Sequence, residues 1–381
     1  MQALIASETP QGTLLLAARL NFVAGQISSK STTYDATLVS NIIKANPVHS
    51  PVAVTFLTAD DNADGQRLDN FLLRHLKGVP KTHVYRIIRS GEVRVNKGRA
   101  QADTRVQVGD VVRVPPLRVS QQIAEKAAHP APPREFPILF EDDHLLAIDK
   151  PAGVAVHGGS GVSFGVIEQL RQARPQARFL ELVHRLDKET SGILLIAKRR
   201  SALTALQAQF KERETDKIYL ATVKGDWPAN KKVLDAPLHK YLLDDGERRV
   251  KVVAKDDPDG MKAVTLVKVK QRFAVGGQPC TLLEVTIKTG RTHQIRVHLA
   301  SAGGPILGDD KYGDFEFNRQ MAHLPGPRGL RRMFLHAWSL RVVHPASQEP
   351  LQLLSELPQD LRGLVWPENE DHATPLRPHR L

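Results

Sequence analysis

Residues 182–192 form a dense polar loop between two apolar segments, and Asp187 lies near its centre with Arg185 and Lys188 close by. Neighbouring cations keep a carboxylate in its ionised form, and an ionised carboxylate can act as a nucleophile or a base. The same spacing also fits an ordinary turn aspartate. Asp187 is therefore a candidate catalytic residue, and a structural turn residue is the alternative.

A second polar stretch, residues 289–298, follows a strand-like segment in which apolar residues alternate with polar ones. We predict that Gly290 lets the chain turn into a helix whose N-terminal amides face an anion. The stretch contains two arginines and two histidines, namely Arg291, His293, Arg296 and His298. These types suggest a polar site, although both histidines also fit purely structural roles.

The sequence does not predict a metal or a nucleotide cofactor. No set of His, Cys and carboxylate residues has the spacing of a closed zinc site. Residues 157–161, His-Gly-Gly-Ser-Gly, lack the Gly-Lys-Ser/Thr ending of a phosphate-binding P-loop. Tyr219 lies in the middle of a predicted strand, and on that evidence alone it is best interpreted as a core aromatic.

The positive charge of the chain is concentrated in one short region. The chain has 381 residues and a net charge of +12, and residues 66–118 hold twelve Lys or Arg against four Asp or Glu, a net +8. A merely solvated surface would spread this charge along the chain. The concentration therefore favours contact with the phosphates of a nucleic acid.

The cysteine content and the apolar runs indicate where the protein works. A single cysteine, Cys280, excludes an internal disulfide and fits a reducing cytosol. No apolar run approaches the roughly 20 residues that span a bilayer. We therefore expect a cytoplasmic protein without a membrane-spanning segment.

Short elements with turn signals between them must position the basic residues. Leu68, Phe71, Leu72 and Leu76 have helical spacing, and Gly78 with Pro80 ends that helix. Residues 81–90 form a second amphipathic helix. Short strands come next at 93–95 and 111–114, with a turn at 96–98 between them. Only Phe71 and Tyr85 are expected to be available there for base stacking.

The composition divides the chain into five segments. We predict a disordered extension at 1–51, a small basic module at 52–118, an Ala- and Pro-rich linker at 119–135, a second domain at 136–366 and a loose tail at 367–381. In the second domain, strands predominate and long connections join them. Its predicted fold class is therefore α+β, with a mixed, largely antiparallel sheet.

Several of these stretches together resemble the RluA family of RNA pseudouridine synthases. The loop His-Arg-Leu-Asp-Lys-Glu-Thr-Ser-Gly at 184–192 is similar to the catalytic motif of that family. Further matches occur in the family's order at 149–153, 217–221, 290–298, 308–313 and 334–337. Residues 67–115 resemble the S4 RNA-binding module that precedes many of these enzymes. The resemblance implies a small S4 α/β module followed by a pseudouridine synthase domain.

The resemblance also implies an activity and roles for particular residues. The family isomerises uridine to pseudouridine without a cofactor. Asp187 would act at C1′ of the ribose, Arg296 would pair with Asp187, and Tyr219 would stack on the base and move the ribose proton. The expected RNA-binding residues are Arg185, which would fill the space of the flipped base, and Lys81, Arg86, Arg89, Arg94 and Lys97 of the S4 module.

Within the family, the segments at 76–81, 91–96 and 157–167 look most like members that modify large-subunit (23S) ribosomal RNA. We therefore expect that RNA as the partner and a monomeric enzyme. Two alternatives stay open from the sequence. One is a family member that acts on transfer RNA or on other ribosomal sites, and the other is a non-enzymatic RNA-binding protein that uses only its S4 module. A metal-dependent hydrolase is a distant third.

Overall fold

The computed structural model describes residues 53–76, 78–117, 130–159, 162–326 and 329–366. The extension predicted at 1–51 and the tail predicted at 367–381 lie outside the described residues. Most of the linker predicted at 119–135 lies outside them as well. Within the described ranges, no helix combines the length and the apolar character needed to cross a membrane.

Two short helices and a small sheet form the basic module. Its helices are α1 (Leu68–His75) and α2 (Lys81–Arg89), and its antiparallel strands are β1 (Thr55–Thr58), β2 (Arg94–Val95), β3 (Gly98–Arg99) and β4 (Val111–Val114). The strands pair in the order β1-β4-β2-β3. Both helices lie where the apolar spacing predicted them.

The side chains of the two helices are buried as the apolar spacing predicted, with one exception. Leu68, Leu72 and Val84 are fully buried, as the apolar faces of the two helices require. Phe71 is only 1% exposed, whereas Tyr85 is 38% exposed. The expectation that Phe71 is available for stacking is therefore wrong, because its ring belongs to the core.

The second domain is built on a large mixed sheet. Its strands are β5 (Ile138–Glu141), β6 (Leu145–Lys150), β7 (Glu181–Leu182), β8 (Ser191–Ala197), β9 (Asp216–Lys224), β10 (Val233–Asp235), β11 (Leu238–Leu242), β12 (Arg248–Val252), β13 (Val264–Val275), β14 (Gln278–Ile287), β15 (Leu335–Val343) and β16 (Pro350–Leu354). Its helices are α3 (Val166–Ala173), α4 (Arg200–Glu212), α5 (Gln294–Ser301), α6 (Phe315–Ala322) and α7 (Gln359–Val365). The α+β prediction is confirmed.

The strand order brings distant parts of the chain together at the centre of the sheet. The main path runs β10-β13-β14-β9-β15-β8-β6-β5, and β11 pairs with β12 in a separate hairpin. Strand β15 runs parallel to β8, and every other pairing among the described strands is antiparallel. The sequence patterns did not predict β15 as a strand, although it is the element that joins β8 to β9.

A close backbone approach at Gly192 makes this junction possible. Gly192 has φ +106°, and a Cβ atom there would lie 2.3 Å from the carbonyl oxygen of Ala337 on β15. Such a φ favours glycine, and no real side chain tolerates that distance. Position 192 is therefore occupied by glycine, because β8 and β15 approach each other there without room for a side chain.

We predict that Gly192→Ala lowers the free energy of unfolding by about 3 kcal/mol or more, because left-handed strain and a backbone clash act together. Gly225→Ala is the matched control, since Gly225 also has a positive φ (+86°) but has nothing within 4 Å of the position that a Cβ atom would take. Gly225→Ala should lower the free energy of unfolding by only about 1–2 kcal/mol. Urea unfolding of both variants measures the difference, and equal losses would contradict this account of the junction.

Candidate active site

A cavity of about 120 Å³ lies between the polar loop before β8, strand β9 and the start of α5. Its lining includes Arg185, Asp187, Tyr219, His293, Arg296 and Leu335. The structure thus brings together the three predicted catalytic residues, Asp187, Tyr219 and Arg296, and it places Arg185 at the same cavity. The side chain of Arg185 is exposed, as a residue at the cavity mouth should be.

Asp187 faces the guanidinium of Arg296. Its Oδ2 atom lies 3.8 Å from Nη1 of Arg296, and the two side chains are 19% and 3% exposed. The pairing expected from the sequence is therefore present, at a distance longer than a direct hydrogen bond. Asp187 keeps some access to the cavity while Arg296 is enclosed by protein.

The closest partner of Arg296 is a carboxylate that the sequence patterns did not indicate. Nε and Nη2 of Arg296 donate to the two carboxylate oxygens of Asp309 at 2.7 and 2.6 Å, and Nη2 also donates to Asp310 at 3.0 Å. Asp309 additionally accepts hydrogen bonds from the backbone amides of Lys311 and Tyr312. This forked pair fixes the guanidinium so that only Nη1 is turned towards Asp187.

The pair also sets the charge states of its members. Burial alone would raise the pKa of Asp309, but the hydrogen bonds and charge of Arg296 outweigh burial and lower that pKa. Burial likewise acts to lower the pKa of Arg296, yet Asp309 and the charge of Asp187 raise it overall. Both groups therefore stay charged inside the protein.

Tyr219 projects into the cavity from the middle of the sheet. It lies on β9, opposite Val285 of β14 and Ala337 of β15, and it is 9% exposed. Burial, followed by the charge of Asp187, raises the pKa of Tyr219 well above its ordinary value. The phenol is therefore neutral, and Tyr219 belongs both to the hydrophobic core and to the lining of the cavity.

Buried Lys150 and half-buried His184 hold the loop that carries Asp187. Nζ of Lys150 donates to the carbonyl oxygens of Pro151, Val154 and Lys188 at 2.8, 2.8 and 3.1 Å. Burial lowers the pKa of Lys150 to about 7. On the other side of Asp187, Nε2 of His184 accepts a hydrogen bond from the amide of Leu195 at 3.1 Å. The loop is thus tied to its surroundings on both sides of the candidate nucleophile.

The turn into α5 differs from its prediction. Gly290 does not have a positive φ, whereas His293 has φ +53° and ψ +19°. The amide of Arg291 donates to the side chain of Gln294. The chain therefore turns at His293, immediately before α5 begins, and the amide of Arg291 ahead of the helix is occupied by Gln294.

The five basic residues predicted in the S4 region lie away from the cavity. Lys81, Arg86 and Arg89 are exposed on α2, Arg94 is half-buried on β2, and Lys97 is exposed in the turn after it. None of the five forms an ion pair with a carboxylate of the described residues. Their charge is thus available to a partner.

One group of side chains in the described ranges has a spacing suited to a metal ion. Ligand atoms of His239, Asp257 and Asp259 lie within 4.8 Å of one another. None of these residues lines the cavity, and the cavity itself contains no comparable group among its described lining residues. The arrangement at the cavity suits attack by a carboxylate beside a fixed cation.

Sequence reasoning missed Asp309, Tyr312 and the anchoring role of Lys150. The match at 308–313 was the only signal for the first two, because neither apolar periodicity nor local charge places them beside Arg296. Lys150 lies in the match at 149–153, but its place at the end of an apolar strand does not show that it anchors the loop of Asp187.

Comparison with known proteins agrees with this geometry. Residues 144–301 match the family model for RNA pseudouridylate synthase, and residues 66–112 match that for the S4 domain. Human RNA pseudouridylate synthase domain containing 1 has a similar fold, with a TM-score of 0.50 and 24% identity over 62% of this chain and 89% of the human chain.

Two relatives share much more of the sequence. The chain is 50% identical over 326 residues to ribosomal large subunit pseudouridine synthase C of Pasteurella multocida, which covers 84% of this chain and 96% of the relative. It is 49% identical over 315 residues to the protein of the same name from Escherichia coli K12, covering 82% and 95%. The resemblance inferred from the motifs is confirmed, and the chain belongs to the family of RNA pseudouridine synthases, with an S4 domain ahead of its synthase domain.

Proposed function

We propose that this protein isomerises specific uridines of large-subunit (23S) ribosomal RNA to pseudouridine, with Asp187 as the nucleophile. The observation that carries the proposal is the convergence of Asp187, Arg296 and Tyr219 on one cavity. The names of the relatives that share about half of the sequence support the choice of RNA.

The reaction needs a bond exchange at one carbon atom. A carboxylate oxygen of Asp187 bonds to C1′ of the ribose as the C1′–N1 bond breaks, and the uracil leaves with the electron pair. The uracil turns, and its C5 atom bonds to C1′ and displaces the carboxylate. A proton leaves C5 and one is taken up at N1, so substrate and product have the same composition. The sequence of steps consumes no oxidant, reductant or cofactor.

The walls of the cavity suit this chemistry. Water would compete with the detached uracil for C1′, so the site must exclude it. Ile287, Ile295 and Leu335 supply apolar lining, and the phenol of Tyr219 offers a flat surface for the base. Because the pKa of Tyr219 is raised, the phenol is neutral and offers this surface without a charge of its own. The bond exchange above leaves the ribose protons in place.

The target uridine must leave its stack before it can enter the cavity, at a cost of a few kcal/mol. Arg185 is exposed at the cavity, and a planar guanidinium stacks on bases while it contacts phosphate. We infer that Arg185 occupies the space left by the flipped base. Lys81, Arg86, Arg89, Arg94 and Lys97 would bind the backbone elsewhere on the same RNA.

The alternatives left open by the sequence are less well supported. A non-enzymatic RNA-binding protein would have no need for a buried Arg296 that is held towards Asp187 by Asp309. No feature of the described residues favours transfer RNA over ribosomal RNA. We further infer that the enzyme works in the cytoplasm, as a monomer and without a metal: its single cysteine fits a reducing compartment, and the bond exchange above uses only the carboxylate, guanidinium and phenol at the cavity.

Asp187→Asn should abolish pseudouridine formation, with a loss of at least about a thousandfold, or about 4 kcal/mol in transition-state energy. An amide has the same shape as the carboxylate but is a poor nucleophile, so the Kd for RNA should change by less than about threefold. The measurements are pseudouridine yield on a ribosomal RNA fragment and binding to that fragment. Glu189→Gln, in the same loop but not among the lining residues of the cavity, is the control and should remain active. Persistent turnover by Asp187→Asn would contradict the proposal.

Asp309→Asn should lower the free energy of unfolding by about 3 kcal/mol, because it leaves the buried Arg296 guanidinium without its main counter-charge. Asp310→Asn is the matched control: this carboxylate also contacts Arg296, but it is 62% exposed and should cost less than about 1 kcal/mol. Urea unfolding and pseudouridine yield are measured on both variants. If the two substitutions have equal effects, Asp309 does not hold the site as we infer.

Changing Lys81, Arg86 and Arg89 together to Ala should weaken RNA binding and reduce its dependence on salt. For each phosphate contact, the logarithm of the affinity falls by roughly 0.7 to 0.9 per log unit of salt concentration. Losing three contacts should therefore reduce the slope of log affinity against log salt by about two to three. The variant should modify the same uridines as the wild type, because the synthase domain flips the target base. Binding titrations over a salt series and site mapping at saturating enzyme provide the measurements.

A triple variant of Arg319, Arg341 and Arg362 is the control for total charge. It also removes three positive charges, but from exposed arginines that are already paired with carboxylates. Its salt slope should match that of the wild type. An unchanged slope in the α2 variant, or modification of different uridines, would show that the S4 domain has another role.

A further inference from the structure

His293 has an unusual backbone conformation at the edge of the cavity. Its φ of +53° lies in the left-handed region, which non-glycine residues adopt rarely and which costs free energy. Such residues cluster at functional sites, where the surrounding structure maintains the strain. In this conformation His293 precedes α5 and its ring lines the cavity.

One nitrogen of the His293 ring is occupied by Tyr312. The hydroxyl oxygen of Tyr312 accepts a hydrogen bond from the amide of Val250 at 3.0 Å, and it lies 2.8 Å from Nδ1 of His293. The phenolic proton has no other acceptor among the described residues. It is therefore best placed on the line to Nδ1, which then acts as the acceptor and leaves the ring proton on Nε2.

The other nitrogen faces the candidate nucleophile. Nε2 of His293 lies 3.9 Å from Oδ2 of Asp187, and Nη1 of Arg296 lies 3.8 Å from the same oxygen. A proton on Nε2 is attracted to that oxygen, whereas a lone pair there would be repelled. Both ends of the imidazole therefore favour the same neutral form.

Burial, more than the surrounding charges, keeps the ring neutral near pH 7. Burial lowers the pKa of His293, and the nearby cations Arg296 and Lys311 act in the same direction. The carboxylates of Asp187 and Asp309 oppose this shift without reversing it. The charged groups that face the ring thus come from the polar loop, from α5 and from the 309–312 segment.

We propose that His293 is a positioning residue for Asp187: its Nε2–H and the Nη1–H of Arg296 together hold Oδ2, which leaves Oδ1 free to attack the ribose. Tyr312 acts through His293 by fixing the proton on Nε2. The proposal rests on the proposed function of Asp187. Both distances to Oδ2 are longer than hydrogen bonds, and we expect them to shorten when RNA closes the site, as catalytic contacts commonly do.

The first test measures the tautomer and charge of the His293 ring directly. Nitrogen NMR of protein labelled with ¹⁵N-histidine distinguishes the two neutral tautomers and the imidazolium, and His293→Gly identifies the signal. At pH 7.5 we expect the neutral form with its proton on Nε2, and we expect Tyr312→Phe to lose that strong preference. A proton on Nδ1, or a charged ring, would overturn the proposal. This result does not depend on activity, so it is separate from any failure of the proposed function.

The second test separates positioning from structural support. Glycine adopts a positive φ readily, and this gain offsets the lost contact of the ring with Tyr312, so His293→Gly should change the melting temperature little. It should lower kcat by about tenfold to a hundredfold, as misplacement of a reacting group does, with KM for RNA within about threefold. Gln348→Gly is the matched control, because Gln348 also has a positive φ (+60°) but lies in an exposed turn. It should leave kcat unchanged.

A double-mutant cycle tests whether Tyr312 acts through His293. Tyr312→Phe keeps the ring beneath Arg296 and removes only the hydroxyl, and it should lower kcat by several-fold in the wild-type background. In the His293→Gly background it should have no further effect, because the group through which it acts is missing. Fully additive losses, or an unchanged kcat in His293→Gly, would overturn the proposal.

Discussion

The buried ion pair between Arg296 and Asp309 is the interaction on which the geometry of the cavity depends. A buried guanidinium is costly unless it is paired and hydrogen-bonded, and Asp309 provides both through two short contacts. Because these contacts use Nε and Nη2, the remaining Nη1 points towards Asp187. The same carboxylate accepts the amides of Lys311 and Tyr312, so one residue orders the arginine and the segment that supports His293.

The sheet supplies the rigidity that this pair needs. Strand β15 lies between β8 and β9, and it brings the loop of Asp187 next to the strand of Tyr219. The lack of a side chain at Gly192 allows the parallel contact with β15. Lys150 and His184 then tie down the loop from both sides. The S4 domain contributes a different feature, exposed positive charge, and we propose that it binds phosphate without selecting a base.

Local sequence patterns predicted the structural features that depend on residues close together in the chain. The helices at 68–75 and 81–89 follow from apolar spacing and from glycine at their ends. Motif resemblance singled out Asp187, Tyr219 and Arg296, which line one cavity. The partners of those residues were not predictable in this way, because Asp309 meets Arg296 only through tertiary folding. The prediction for Gly290 was wrong for a related reason: glycine is the usual residue at a sharp turn, but here His293 adopts the positive φ, stabilised by its contact with Tyr312.

The most direct test of the central claim is a map of pseudouridines in large-subunit ribosomal RNA from cells that lack this protein. We predict that particular pseudouridines disappear, that the wild-type gene restores them and that a gene encoding Asp187→Asn at equal protein levels does not. If no pseudouridine in that RNA disappears, or if the Asp187→Asn protein restores those that do, the claim is contradicted.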